Sequence, residues 1–241
     1  DNNATVSGDL VRNGGTFSSS TGTISFTGSA TQELTLNVAT TFFNLTVGSG
    51  TTLVETVATD NATVDGTLTN DGTIRKARAV SGPGALTFGL TGIAIDVTTP
   101  GTLSSLQVDR IDTYHPDANA RTDTGKYWTI TPTGSGYTVS LTLPHNLADH
   151  TKAEVCRYTG SGWDCARTSS TPTTVTRTGV TTLSDWAVGD SNPTPVHLLF
   201  FRATASRGGH PGGVADCVRT GRPGIQPLPE RESGRPLRAA Q

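Results

Sequence analysis

Short stretches of alternating apolar and polar residues, each ended by Gly, Asn or Ser, make up most of this chain. The first part contains GTISFTG (22–28), ELTLNV (33–38) and FFNLTVGSGTTLVETV (42–57). A period of two residues is typical of β-strands with one buried face. Few apolar residues follow the 3.6-residue spacing of an amphipathic helix. The alternation therefore predicts an all-β protein.

Two segments of the first part repeat each other. ATVSGDLVRNGGTF (4–17) aligns with ATVDGTLTNDGTI (62–74) when one residue is skipped. Repeated short strands separated by Gly and Asn favour a β-solenoid, in which each coil stacks on the next and buries one face. An ordinary antiparallel sandwich whose segments resemble each other by chance is the alternative.

The pattern changes near Pro100, where strand-like segments recur every 8–12 residues up to DWAVGD (185–190). In GYTVSLTLP (136–144), Tyr137, Val139, Leu141 and Leu143 fall on one face. This spacing is typical of a β-sandwich of immunoglobulin type. DSNPTPV (190–196) follows as a linker, because its two prolines prevent a sheet from continuing.

These residues carry a resemblance to secreted bacterial cell-surface proteins. FFNLTV and ATVDGTLTNDGTI resemble the rungs of parallel β-helices, and KYWTITPTGSGYTVSLTLP, AEVCRYTGSGWDCA and TLSDWAVGD resemble an immunoglobulin-like β-sandwich module that follows such rungs. The resemblance implies export and a surface role, and no catalytic motif accompanies it.

The predicted organisation has four parts. Residues 1–99 form a β-solenoid segment, 100–190 a β-sandwich module, 191–209 a linker with the first strand of a truncated further module, and 210–241 a disordered tail. The segment VHLLFF (196–201) is the apolar strand of the third part.

The tail is rich in Arg, Pro and Gly, and the strand pattern collapses at HPGGVADC. When the residues from His210 onward are back-translated and the reading frame is moved forward by one base, the new codons can encode two amphipathic strands around a turn. We therefore expect residues 210–241 to be an out-of-frame translation, loosely attached or disordered. A genuine flexible basic tail that binds anionic surfaces is the alternative.

Charge and composition limit the classes of function. Charged residues make up 16% of the chain and the net charge is −2, which argues against a general nucleic-acid-binding protein. No run reaches the ~18 apolar residues that span a bilayer. The chain contains no Met, so we expect Asp1 to follow a processing or trimming step. An extracellular or cell-surface location is predicted.

Cys156 and Cys165 lie in CRYTGSGWDC. If Thr159–Gly162 form a hairpin loop, Cys156 faces Cys165, Tyr158 faces Trp163, and Arg157 faces Asp164 as a favourable charge pair. Three pairings agree on one register and predict a disulfide, hence an oxidising compartment. Cys217 is then left unpaired.

Acidic residues cluster in DRIDTYHPDANARTD (109–123). Asp109, Asp112, Asp117 and Asp123 are weak candidates for a calcium site, because carboxylates are hard oxygen ligands. Their spacing does not match an EF-hand loop, so a solvated loop is favoured. No metal and no cofactor are predicted.

Catalytic signals are weak. No G-x-S-x-G elbow occurs. Asp60, Asp65 and Asp71 are the only acids that suit a polysaccharide-cleaving solenoid, and turn chemistry explains all three. Trp128, Trp163 and Trp186 are better explained as core and hairpin residues than as a sugar-binding platform.

The sequence thus favours a non-enzymatic structural or adhesive protein outside the cell, in which a rigid solenoid spacer carries a β-sandwich. Glycans or other cell-surface components are the expected partners. A carbohydrate-binding or polysaccharide-cleaving β-helix is the alternative. Solenoid ends expose unpaired strands, so head-to-tail assembly into filaments is a third hypothesis.

Overall fold

The first part of the chain winds as a β-solenoid of about three turns. The structure is a computed structural model and describes residues 3–18, 20–28, 30–122 and 124–192. Ten strands build the solenoid, and they pair with one another in parallel. In chain order they are β1 (Ala4–Val6), β2 (Leu10–Arg12), β3 (Thr23–Phe26), β4 (Thr31–Leu36), β5 (Thr40–Phe42), β6 (Asn44–Val47), β7 (Thr52–Glu55), β8 (Ala62–Val64), β9 (Leu68–Asn70) and β10 (Thr73–Ala79).

The coils stack with a spacing of 20 to 24 residues between paired positions, such as Ala4 with Ile24 and Leu10 with Leu34. Strands β1, β3, β6 and β9 form the first face, and β2, β4, β7 and β10 the second. Strands β5 and β8 form a short third face. Parallel stacking places like residues above one another, so Ile24 and Leu45 share one buried column. The predicted solenoid is confirmed.

Polar side chains hold adjacent coils together at the edges of these faces. Asn44 Oδ1 accepts the N–H of Thr67 at 2.9 Å, and Asn61 Nδ2 donates to the carbonyl of Leu36 at 2.6 Å. Thr41 and Thr63 hydroxyls lie 2.8 Å apart across the third face. The abundance of Asn and Thr in the sequence therefore supplies bonds from one coil to the next.

The repeated segments occupy different faces of the solenoid. Segment 4–17 supplies β1 on the first face and β2 on the second, whereas segment 62–74 begins with β8 on the third face and continues with β9 on the first. The repeat thus describes a strand–turn–strand corner and not a whole coil. Gly66 shows why this corner needs glycine, since a Cβ there would lie 2.6 Å from the carbonyl oxygen of Phe43.

The second part consists of two mainly antiparallel layers. Its strands are β11 (Gly84–Thr87), β12 (Ala94–Thr99), β13 (Ser105–Ile111), β14 (Tyr127–Thr133), β15 (Thr138–Pro144), β16 (Ala153–Tyr158), β17 (Trp163–Ala166), β18 (Ser169–Ser170), β19 (Thr174–Val180) and β20 (Asp185–Asp190). Two 3-10 turns, Gly89–Thr91 and His150–Lys152, are the helical elements of the described residues.

One layer is a five-stranded sheet with the order β11-β12-β15-β19-β18, which we call the short sheet. It shares one hydrophobic core with the second layer, which contains β13, β14, β16 and β20. Val139, Leu141 and Leu143 of β15 are fully buried in that core, opposite Trp128 and Trp186. Tyr137 lies on the same face, and its hydroxyl accepts the N–H of Leu183 at 3.2 Å. The predicted inward face of GYTVSLTLP is confirmed.

One nine-stranded sheet runs through both parts of the protein. Its order is β17-β16-β20-β14-β13-β10-β7-β4-β2, and we call it the long sheet. Strand β10 joins the two parts, because it pairs in parallel with β7 and antiparallel with β13. The second face of the solenoid therefore continues by backbone hydrogen bonds into a layer of the second part.

The 3-10 turn Gly89–Thr91, which we call the cap turn, connects the two cores. Leu90 belongs to the solenoid core, whereas its near neighbour Phe88 belongs to the second core. The indole N–H of Trp128 donates to the carbonyl of Thr91 at 2.9 Å, and Arg110 donates to the carbonyl of Leu90 at 3.0 Å. The cap turn thus closes the last coil against residues of the second part.

Several sequence-based predictions remain predictions. VHLLFF (196–201), the tail 210–241 and Cys217 lie outside the described residues. The domain boundary at 99/100 is untested, and β11 and β12, which precede it, already belong to the short sheet. Among the described residues, no helix has the length and hydropathy of a membrane span.

Candidate functional site

The β16–β17 hairpin has the register that the sequence predicts. Cys156 lies opposite Cys165, and Tyr158 lies opposite Trp163. The two cysteine sulfurs are 2.06 Å apart, a disulfide distance. Cys156 packs against Gly189 of β20, where a Cβ atom would lie 2.4 Å from the Cys156 sulfur. The disulfide therefore joins the two strands of the hairpin, and its sulfur leaves no room for a side chain at position 189 of β20.

The predicted charge pair between Arg157 and Asp164 is not formed, although the two residues are opposite in register. Asp164 instead pairs with Arg177 of β19, whose Nη2 lies 2.7 Å from Asp164 Oδ2. Arg177 also donates to the Asp164 carbonyl at 2.9 Å. Arg177 of the facing short sheet therefore binds the Asp164 carboxylate. Arg157 has no ion pair among the described residues.

An aromatic cluster of His115, Tyr127, Tyr158 and Trp163 covers the outer side of the long sheet. The His115 ring centroid lies 5.0 Å from those of Tyr127 and Trp163 and 4.7 Å from that of Tyr158. Tyr158 and Trp163 are 5.4 Å apart. Such edge and tilted contacts stabilise aromatic groups beyond the area that they bury. His115 is only 7% exposed and forms the centre of the cluster.

Hydrogen bonds set the tautomer of His115. The backbone N–H of Asp117 donates to His115 Nδ1 at 3.1 Å, so Nδ1 is an acceptor. Nε2 then carries the proton and donates to Asp185 Oδ2 at 3.2 Å. Asp185 Oδ1 accepts from the hydroxyl of Thr129 at 2.7 Å. Both oxygens of this carboxylate are therefore held in place by the protein.

Asp117 holds two rings of the aromatic cluster. Its carbonyl accepts the indole N–H of Trp163 at 2.9 Å. A hydrogen bond from the Tyr158 hydroxyl to the Asp117 side chain raises the pKa of that tyrosine. This predicted calcium candidate thus orients aromatic side chains at the hairpin.

The other calcium candidates have different surroundings. Both oxygens of Asp109 bond to Arg75, at 2.7 and 2.6 Å, and both oxygens of Asp112 bond to Arg110 at the same distances. Asp123 lies outside the described residues. Over residues 3–18, 20–28, 30–122 and 124–192, no three His, Cys, Asp or Glu residues group as metal ligands would. Asp109, Asp112 and Asp117 therefore form no common metal site among the described residues.

A groove lies at the end of the hairpin, beside Tyr158. It has a volume of about 380 Å³ and is widely open to solvent. We call it the hairpin groove; its lining residues are Arg157, Tyr158, Thr159, Gly160, Thr182, Ser184 and Asp185. Most of the residues that line the groove are therefore polar: three Ser or Thr residues, an aspartate, an arginine and a tyrosine.

The acids proposed for a cleaving solenoid have different surroundings. Asp60 accepts a hydrogen bond from buried Lys76 at 2.5 Å. Although burial opposes it, the hydrogen bonds from Lys76 and Thr87 lower the pKa of Asp60. Asp65 and Asp71 lie at coil corners, where their backbone N–H groups donate to the coil beneath.

Trp128 and Trp186 are fully buried in the second core, and Trp163 lies on the hairpin, as the sequence predicts. His115 and Arg177 were missed by sequence reasoning, because neither carries a local spacing signal. Lys76 could have been found from the sequence, because the alternation in TIRKARA places this lysine on the inward face of the strand, where an apolar residue is expected.

Comparison with known protein families, curated proteins and solved structures found no match to this chain.

Proposed function

We propose that this chain is an extracellular structural or adhesive protein, in which the solenoid is a rigid spacer that carries a binding module. The observation that carries the proposal is the long sheet, which passes from the solenoid into the second part through β10. A hydrogen-bonded junction resists bending far better than a flexible linker of Gly and Ser.

The cap turn strengthens the same junction. Leu90 packs into the solenoid core while Trp128 of the second core holds the carbonyl of Thr91. Bending at the junction would break these contacts together with the pairing of β10 and β13. A spacer needs this property, because a ligand held by the second part then transmits force to the solenoid.

The cysteine pair supports a location outside the cell. Disulfides persist in oxidising compartments and are rare in the cytosol of most organisms. The immunoglobulin-type topology of the second part belongs to the same proposal, and two layers around one core agree with it.

Cell fractionation tests the proposal directly. An antibody to the protein should detect it on intact cells or in the medium, and protease added to intact cells should remove the signal. Alkylation of free thiols during lysis should leave Cys156 and Cys165 unlabelled. A cytosolic protein with both thiols free would overturn the proposal.

Self-assembly is a second form of the proposal. Strands β1 and β2 are edge strands of their sheets, and Val11 is 57% exposed on the first coil. On the last coil, β10 pairs with β13 and Leu90 of the cap turn packs into the solenoid core, whereas β8 and β9 are also edge strands of their sheets. Sedimentation velocity over a range of concentrations tests it; a single monomeric species throughout would exclude assembly.

A further inference from the structure

The side-chain amine of Lys76 is buried in the solenoid between two carboxyl groups. The side chain has no exposed surface, and its Nζ lies 2.5 Å from Asp60 Oδ1 and 3.7 Å from Glu55 Oε1. The carbonyl of Thr59 accepts from the same nitrogen at 3.1 Å. Lysine is almost never buried to this extent. Because the fold holds the amine in contact with a carboxyl group, the two groups meet without any loss of translational freedom.

Asp60 is held through both oxygens of its carboxylate. Oδ1 accepts from Lys76 Nζ, and Oδ2 accepts from the hydroxyl of Thr87 on β11. The Thr87 hydroxyl is therefore placed to stabilise the negative charge that develops on Oδ2 when a nucleophile attacks Cγ. The Asp60 side chain is 26% exposed, so a small leaving group can escape to solvent from this side.

Glu55 provides a group that can move protons at the same point. Its Oε2 accepts the N–H of Leu90 at 2.8 Å, and its Oε1 is the oxygen near Lys76 Nζ. Burial raises the pKa of Glu55 to about 7, although the charge of Lys76 acts in the opposite direction. A carboxyl group with a pKa near neutral pH can both accept a proton and return it.

We propose that Lys76 and Asp60 condense to an amide, which links β10 covalently to the loop between β7 and β8. One Nζ proton passes to Asp60 Oδ1 along their hydrogen bond, and the neutral amine attacks Cγ. A C–N bond forms while an electron pair of the C=O bond moves to Oδ2. Glu55 takes a second proton from Nζ and returns it to Oδ1. The electron pair on Oδ2 then restores the C=O bond, the C–Oδ1 bond breaks, and water leaves.

The reaction needs no further reactant, because one ammonium and one carboxylate give one amide and one water. The Lys76 ammonium is already out of contact with solvent, which costs free energy, and the amide removes this charge. The inference goes beyond the proposed spacer function. Strand β10 joins the solenoid to the second part, so a force on the junction would act on a covalent bond as well as on hydrogen bonds.

The intact mass of the full chain tests the inference. After reduction of the disulfide, folded protein incubated at neutral pH should be lighter by one water than its sequence requires. Protein kept unfolded in urea should retain the full mass, because the contact between Lys76 and Asp60 is lost. Trypsin should release segment 76–78 attached to the peptide that contains Asp60, since it cuts after Arg75 and Arg78 but not after a linked lysine.

Two glutamate variants test the proton transfer. Glu55→Gln still accepts the Leu90 N–H but cannot carry a proton, so it should slow the loss of water by about a hundredfold or more. Glu33→Gln makes the same change at an exposed position of β4 and should react as wild type. Unfolding measurements on Glu55 and Lys76 belong to the fraction with the full mass, in which the ion pair is intact.

Three further variants identify the linked residues. Lys76→Met should keep its full mass, whereas Lys152→Met, in the 3-10 turn His150–Lys152, should lose water as wild type does. Asp60→Asn should lose ammonia in place of water, and its linked product should have the same mass as the linked wild type. This result does not depend on a variant that lacks the buried lysine.

Two results would overturn the inference. Folded wild type that retains its full mass after prolonged incubation would show that no bond forms, and loss of water from Asp60→Asn would place the bond on Glu55. Loss of water from Glu55→Gln at the wild-type rate would exclude the proton transfer by Glu55. The location of the protein and its paired cysteines are measured separately, so the proposed spacer function would stand in each case.

Discussion

Glu55 and Lys76 lie opposite each other on the parallel strands β7 and β10, with Lys76 Nζ 3.7 Å from Glu55 Oε1. Both point into the solenoid, where Leu34 occupies the preceding position of the same column. The Lys76 side chain is fully buried and also donates to Asp60 and to the carbonyl of Thr59. An apolar column thus ends in an ion pair where the two cores meet.

Removal of the lysine should be strongly destabilising. At a pH above 7, where Glu55 of the wild type is ionised, Lys76→Met leaves its carboxylate buried without its cation, which costs about 3–5 kcal/mol of the free energy of unfolding. Urea unfolding followed by circular dichroism measures this loss. The double variant Glu55→Leu with Lys76→Met should recover most of the stability, because two apolar side chains then extend the column. A double variant as unstable as the single one would contradict this account.

The stability contributed by Glu55 should depend on pH. Burial raises its pKa from 4.5 to about 7, although Lys76 and the Leu90 N–H act in the opposite direction. Between these values the folded protein holds a proton that the unfolded chain has lost. The contribution is therefore fully present below pH 4.5 and falls by up to about 3 kcal/mol as pH rises through 7.

Glu55→Gln provides the reference for that measurement, because its amide oxygen still accepts the Leu90 N–H. The unfolding free energy of wild type minus that of the variant should decrease between about pH 5 and about pH 8. Asp60 should keep its hydrogen bonds to Lys76 and Thr87 in the variant, so most of its own contribution should cancel in the difference. A constant or increasing difference would show that Glu55 is ionised throughout this range.

The disulfide should contribute modestly to stability. Cys156 and Cys165 close a short loop, with a sequence separation of 9, so replacing both with Ala should cost at most about 3 kcal/mol. Peptide mapping without reduction should link these two residues and leave Cys217 unlinked. A link that involves Cys217 would contradict the hairpin register.

Gly189 should be intolerant of a side chain because of the adjacent sulfur. Gly189→Ala places a Cβ 2.4 Å from the Cys156 sulfur, and the overpacking should cost about 1–3 kcal/mol. The cost should fall in a background that carries Ala at 156 and 165. Equal costs in the two backgrounds, from chemical unfolding, would locate the clash elsewhere.

A glycine at a solenoid corner and a glycine in the loop between β10 and β11 should differ in their tolerance of alanine. A Cβ at Gly72 would lie 2.3 Å from the carbonyl oxygen of Thr51, so Gly72→Ala should cost about 2 kcal/mol or more. Gly82 has no atom within 4 Å of such a Cβ, and Gly82→Ala should be neutral or stabilising by about 0.5 kcal/mol. Similar melting temperatures for both variants would contradict the close approach of the coils.

Local pattern was enough to predict the strands and the hairpin. Strand alternation is set by the two-residue period of the backbone itself, so segments such as TISF and TVSLTL could be assigned directly. Tyr158 opposite Trp163 follows from the length of a single loop. The solenoid followed from recurrent short strands, although the repeated segments proved to lie on different faces.

The tertiary structure alone decided which charges and rings meet. Asp164 bonds to Arg177 and not to Arg157, because the short sheet brings an arginine across the core from a strand that no local spacing connects to the hairpin. His115 reaches Tyr158 and Trp163 because a long loop folds back over the sheet. Period and loop length act between near neighbours in the chain, whereas the groove and the buried Glu55–Lys76 pair depend on how whole layers stack.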